Sequence, residues 1–414
     1  MEYLFIHYRK IVPFMLEEQV ILSGVLSVSI LVFLAKMMSS VFGRFNIPSV
    51  LGELTAGIVF GPYALGQFIT FFGTPLININ EIVSAFAQIG AILILFSAGL
   101  ETSFSEFRGE SVRSFIVGGL GVVLPFFMGY YFASLLGFTF PAALLTGAAL
   151  SATSIAVTSR VLESLGVSKA LASRLVINAA VVDDVLGLAV LGIVISIIQQ
   201  GTIPTFSEIF VKLLTIIVLW VGLLLGLVFF VPKFMNAIPR WRAEGTEEAA
   251  STVVCFGAAS LATILGLSPI VGAYAAGMGL ATSRTLTGIR SYLDKINMIF
   301  APIFFAVIGA SLNISQLSLM SLLFLPILFA IAAISKLAGC GLPAWLLLRS
   351  GKKGLQMGIA MVSRGEVGLV IAGLGLSEGV ISQDVYSALV GMVILTTLFT
   401  PFLMKKVFKN AGSE

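Results

Sequence analysis

Asp183 and Asp184 stand side by side in NAAVVDDVLGLAV, in the middle of an apolar run from Leu175 to Ile198. A carboxylate costs free energy wherever water is absent, so an ionisable pair in such a run marks a functional site by default. Adjacent helix positions differ by about 100°, so the two acids diverge: one can meet a protein partner while the other faces a cavity. Lys336, in IAAISKLAGC, puts the opposite charge into an equally apolar stretch. Two further stretches carry polar interruptions at their middles, SATS at Ser151 to Ser154 and SRGE at Ser363 to Glu366.

Depth connects these residues. Counted along a helix from Arg174, Asp184 lies roughly 15 Å in; Lys336 counted back from Arg349 comes to roughly 20 Å, and Glu366 counted from Lys353 is similar. Asp183, Asp184, Lys336 and Glu366 can therefore share one layer. Lys336 facing Asp183 neutralises one charge, which leaves Asp184 to hold either a proton or a monovalent cation such as Na⁺. Interrupted helices at that depth present free carbonyls and half-helix ends to an ion, and the Thr153 and Ser154 hydroxyls add oxygen ligands. The alternative for Ser151 and Ser154 is a bond back to their own helix. The Arg364 cation suits a half-helix C-terminus or a carboxylate, Glu366 included. Proton and cation competing for one site couple two gradients with no cofactor.

The elements that must position these residues are membrane helices. Of 414 residues, 58% are hydrophobic and 11% charged, with a mean hydropathy of +1.07, which excludes a soluble globule. Apolar stretches of roughly 20 residues exclude a porin-like barrel, whose strands are short and alternating. Spans are expected near 19–41, 48–66, 81–101, 113–136, 140–163, 169–199, 206–233, 247–266, 268–283, 294–312, 317–349, 354–378 and 382–408. That is an all-α polytopic membrane protein of about thirteen transmembrane helices. Lys and Arg fall in the odd-numbered loops and the tail, so those lie in the cytoplasm of a multi-pass cell (plasma) membrane protein and the N-terminus lies outside. Arg9 and Lys10 are the exception.

Internal similarity adds architecture. IPSVLGELTAGIVFGP and SPIVGAYAAGMGLA share Gly-x-x-x-Ala-Gly at Gly52 to Gly57 and Gly272 to Gly277; LFSAGLETSFSEF pairs with FFAVIGASLNISQL, and TGAALSATSIAV with MGIAMVSRGEVG. Matched spans are seven apart, so they run in opposite directions: an inverted-topology repeat, with the fifth and twelfth spans as the broken pair. Recurrence of small residues for helix packing alone is the plainer reading.

Several chemistries are disfavoured. Cys255 and Cys340 lie in apolar stretches and the single histidine is His7, so no resident metal site and no disulfide framework is expected. No Walker-type loop is present, so ATP-driven transport by this chain is not expected, nor is a cofactor or a nucleic-acid partner. An intramembrane aspartyl protease needs its two acids opposed across two helices, whereas neighbours on one helix diverge. A K⁺/H⁺ antiporter, a sodium-coupled symporter of organic anions and a non-transporting sensor stay open as alternatives.

SATSIAVTSRVLESLG, VINAAVVDDVLGL, the deep Lys336 and SRGEVGLVIAGL together resemble the cation/proton antiporter superfamily (monovalent cation:proton antiporter-2 branch), in particular its NapA-type bacterial Na⁺/H⁺ exchangers. The resemblance covers nearly the whole chain. It implies a homodimer, the fifth and twelfth spans as two broken crossing helices, a core of about 113–199 and 317–408 that moves like an elevator against a dimerisation part of about 19–101 and 247–312, and a linker helix at about 206–233. It also implies Asp184 as the main ion-binding carboxylate, Asp183 as the partner of Lys336, Thr153 near the ion, and electrogenic exchange, which accompanies an Asp-Asp pair in that superfamily. The chain departs from the glutathione-gated potassium efflux branch, which typically has Gln-Asp there. For Glu53, in the second span, a helix-packing or interface role is favoured over a place in the ion funnel.

Overall fold

The computed structural model describes residues 2–45, 47–71, 74–75, 77–101, 104–200, 205–237, 245–281, 283, 286–311, 313 and 318–409. The chain begins with helices α1 (Glu2–Arg44) and α2 (Ser49–Phe60), followed by a small antiparallel hairpin, β1 (Thr70–Phe71) and β2 (Thr74–Pro75), in which Thr70 pairs with Pro75. Then come α3 (Glu81–Leu100), α4 (Phe104–Leu135), α5 (Phe140–Ser151), α6 (Ile155–Ser164), α7 (Leu171–Gln200), α8 (Phe206–Ala237), α9 (Thr246–Ile264), α10 (Pro269–Leu280) and α11 (Leu286–Ala310). The last five are α12 (Leu319–Lys336), α13 (Leu342–Leu348), α14 (Gly351–Ala360), α15 (Glu366–Ser377) and α16 (Gln383–Val407).

Among the described residues, nine helical stretches are long and apolar enough to cross a bilayer, and shorter apolar helices cover Ser49–Phe60, Pro269–Leu280 and Val367–Leu376. The protein is an all-helical, multi-pass membrane protein. Apolarity marks the part of a helix that lies in lipid, and the helix itself runs further: α1 starts at Glu2 and α11 at Leu286, ahead of the apolar stretches expected near 19 and 294. Conversely, α2 stops at Phe60, before the expected end near 66, because Gly61 and Pro62 follow. The stretch expected as one helix over 317–349 contains a π-helical segment, Leu337–Gly341, between α12 and α13. Its two glycines and Pro343 make a regular ladder poorly favoured there.

By internal contacts the chain divides into two compact units, Met1–Ala91 with Asn297–Ser315, and Ile92–Ile296 with Gln316–Glu414. In the first, α1 and α2 pack together, and Leu31, Ala35, Ala56, Ile303 and Ala306 are buried in its core. Glu53 of α2 is also fully buried in that unit. The second unit carries every residue of the charged layer. Its core joins Ala148 and Ala149 of α5, Val194 of α7, Ala332 of α12, Ala372 of α15, and Ala388 and Met392 of α16. Lipid offers helices no hydrophobic drive to associate, so small side chains that let backbones approach are what such a core requires.

Candidate functional site

The two polar interruptions are breaks in helices. The fifth stretch is α5, then the non-helical residues Ala152–Thr153–Ser154, then α6; the twelfth is α14, then residues 361–365, then α15. The breaks meet: Ser154 N donates to Ser363 O at 2.9 Å, and Ser363 Oγ lies 3.3 Å from Ser154 O. Thr158 closes the junction, donating to Ala360 O at 2.7 Å with Ser363 Oγ 3.0 Å away. Non-helical backbone inside a membrane protein survives only where protein satisfies it, and these bonds do so.

Close approach at the junction depends on a missing side chain. A Cβ on Gly365 would sit 2.6 Å from Ser154 Oγ and 2.7 Å from Ser154 Cβ. Gly365→Ala is therefore expected to destabilise the protein by about 1–3 kcal/mol, as overpacking does. Thermal melting in detergent checks this. Gly373→Ala on α15, where a Cβ meets nothing within 4 Å, serves as the tolerated control.

Hydroxyls at the first break divide their tasks. Ser151 Oγ bonds back to Ala148 O at 2.8 Å, and Ser154 Oγ accepts from Val157 N at 3.4 Å as the cap of α6. Thr153 is buried, and its Oγ1 has no hydrogen-bond partner among the described residues.

At the second break Arg364 is fully buried. Its guanidinium donates to Ala332 O of α12 at 3.1 Å and reaches Met361 O, at the C-terminal end of α14, at 3.5 Å. Cation and negative helix end thus offset each other. The backbone of Arg364 is held from α16: its N–H donates to Thr396 Oγ1 at 3.2 Å, and Thr397 Oγ1 lies 2.5 Å from its carbonyl oxygen. Glu366 begins α15, and its side chain lies outside the described residues.

Asp183 and Lys336 form an ion pair, Oδ1 to Nζ 2.5 Å, with both side chains wholly buried. Lys336 Nζ also donates to Gly121 O of α4 at 2.6 Å. A Cβ at Gly121 would lie 2.5 Å from Cys340 Sγ, so α4 comes this close to the π-helical segment only as glycine. Lys336 is the last residue before the π-helical segment, a widened turn often found at functional sites. Asp184 is buried as well, at 8% exposure against 0% for Asp183, and lies outside the Lys336 ion pair.

Sequence reasoning did not single out Thr158, Thr396, Thr397 or Gly121. The adjacent threonines in MVILTTLFT are a readable signal, two hydroxyls in an apolar helix; Gly121 gives none, being one small residue among many.

Residues 29–408 match the family described as "Sodium/hydrogen exchanger, transmembrane". The chain is 32% identical to the Na(+)/H(+)-K(+) antiporter GerN of Bacillus cereus over 92% of this chain and 95% of that protein. It is 30% identical to the high-affinity Na(+)/H(+) antiporter NhaS3 of Synechocystis over 95% of this chain and 92% of that protein. Its fold is similar to that of the sodium proton antiporter MjNhaP1 from Methanocaldococcus jannaschii, with a TM-score of 0.67, 17% identity, and coverage of 95% of this chain and 100% of that one. Two broken helices crossing beside a buried carboxylate pair, a profile match over nearly the whole chain and antiporters as relatives lead to one conclusion: the protein is a membrane transporter, not an enzyme, and belongs to the sodium/hydrogen exchanger family, within the cation/proton antiporter superfamily.

Proposed function

We propose that this protein exchanges Na⁺ or Li⁺ for H⁺ across the cell membrane, with ion and proton competing for Asp184. The observation that carries this reading is the asymmetry of the aspartate pair: Asp183 is committed to Lys336, and Asp184, buried next to it on α7, lies outside that ion pair. Arg364 is engaged by a helix end, which offsets its charge. Asp184 is then the negative group that a monovalent cation or a proton can balance. Thr153 Oγ1 supplies a neutral oxygen ligand in the adjacent break, and Ser154 holds α6 in place through its cap.

Crossing the membrane with an unbalanced charge in a low-dielectric core is costly, so the site moves only when occupied. That rule alone produces exchange. Transport is of the elevator kind in this reading, with the core of about 113–199 and 317–408 moving against the dimerisation part of a homodimer, the N-terminus outside and the C-terminus cytoplasmic; the internal similarity of matched spans supports an inverted repeat. Exchange is electrogenic, because the Asp183–Lys336 pair gives a second proton-linked group in the same layer. The family's relatives include a Na(+)/H(+)-K(+) antiporter, so K⁺ is the alternative ion. The test is proton movement in proteoliposomes, driven by Na⁺, Li⁺ or K⁺, with a membrane-potential dye in parallel. Cation-driven proton flux that shifts the potential is expected; no flux with any cation, from folded protein, contradicts the proposal.

A further inference from the structure

Tyr274 of α10 donates its hydroxyl proton to Asn178 Oδ1 of α7 at 2.7 Å, and both residues are about 1% exposed. The bond joins positions 96 residues apart and lands on the helix that carries Asp183 and Asp184. Asn178 Nδ2 is buried with no hydrogen-bond partner among the described residues. A strut selected for stability alone is better made with both ends of the amide paired, since an unpaired buried donor is penalised. The same is true with the amide turned over: one end is held by Tyr274 and the other stays open.

Its place on α7 gives it a task. A cavity of about 90 Å³ is lined by Ser97, Glu101, Ser159, Glu163, Ile177 and Asp294, among others. Ser168, just before α7, also lines it, so the cavity sits at the Arg174 end of that helix. Ile177 and Asp184 are seven residues apart, two turns on nearly the same stripe, so the cavity lies in line with Asp184 and about 10 Å short of it. Asn178 flanks that line.

We infer that the Asn178–Tyr274 hydrogen bond is a latch that holds α7 in the conformation presenting Asp184 toward the Arg174 face, and that it opens when the carboxylate turns to the other face. α7 and α10 lie in one compact unit, in which α10 packs chiefly on α8 and α9 and only lightly on α7; the inference rests on the proposed exchange, in which α7 moves with the core and α10 stays with the dimerisation part. Asn178 and Tyr274 are positioning residues: they act on the equilibrium between access states and not on the ion.

The test compares Tyr274→Phe, which keeps the ring and removes the hydroxyl, with Asn178→Ala and the double variant, each reconstituted in one orientation. Wild-type exchange that depends on Asp184 establishes the underlying reading first. Losing a bond that exists in one state only raises the population of the other, so apparent cation affinity at the face opposite Arg174 is expected to strengthen about two- to tenfold, with no strengthening at the Arg174 face. The double variant is expected to match the single ones, because each removes the same bond. A readout independent of transport is Ser159→Cys in the cavity, labelled by a membrane-impermeant maleimide from the Arg174 face: labelling slows when Tyr274→Phe is added. Equal changes at both faces, no change at either, additive single variants or unaltered labelling overturns the latch while leaving exchange itself intact.

Discussion

Asp184→Asn is expected to abolish cation-driven proton flux while leaving the protein folded. The substitution keeps shape and hydrogen-bonding capacity, and it removes the negative charge. An amide neither binds a proton near neutral pH nor balances a desolvated cation. Removing the charged partner from a close pair in a dry site costs about 2–5 kcal/mol, which lowers cation affinity by about 30-fold to a few thousandfold. Melting temperature is expected to hold, because Asp184 is not the acid committed to the Lys336 ion pair. Flux at wild-type levels in Asp184→Asn would place the exchanging group elsewhere.

Lys336→Met is expected to have the largest effect on stability. The substitution preserves length and removes the ammonium, so Asp183 keeps a wholly buried carboxylate with its cation gone and Gly121 O loses its donor. Breaking one side of a buried pair costs about 3–5 kcal/mol, more than the pair itself contributes. Melting of the detergent-purified protein reads the loss. Asp183→Asn combined with Lys336→Met replaces the ions by neutral groups of similar volume and is expected to recover most of it. A double variant as unstable as Lys336→Met alone would mean that packing of the lysine stem against α4, and not charge, dominates at this position.

These expectations rest on features that were unequally legible in the sequence. Charge in an apolar run is visible in one dimension, because the cost of burying Asp183, Asp184, Lys336 or Arg364 does not depend on where the neighbours are. The helix breaks were legible for a related reason: SATS and SRGE replace apolar residues by polar ones where lipid gives backbone no other partner. Pairing by depth put Lys336 and Asp183 in one layer from rise per residue alone, and in the structure they form an ion pair. What stayed hidden depends on three-dimensional approach. Gly121 reads like any membrane glycine until α12 puts an ammonium against its carbonyl, and Gly365 until Ser154 crosses it. Thr158 looks like one more hydroxyl bonding its own helix, yet it bonds Ala360 O across the junction. Helix ends outside the apolar stretches, such as the start of α1 at Glu2, leave no mark in a hydropathy pattern. The π-helical turn after Lys336 follows from Gly339, Gly341 and Pro343 acting together, a local effect that periodicity averages away.

Competition at Asp184 is tested most directly by Na⁺ affinity of the purified protein as a function of pH, read together with protons released on Na⁺ addition. If ion and proton share the site, each unit by which the pH falls through the protonated range weakens Na⁺ binding about tenfold for every proton displaced, and released protons match that slope. Asp184→Asn removes both signals. Na⁺ binding that is independent of pH and releases no proton would contradict a shared site, whatever flux the protein shows.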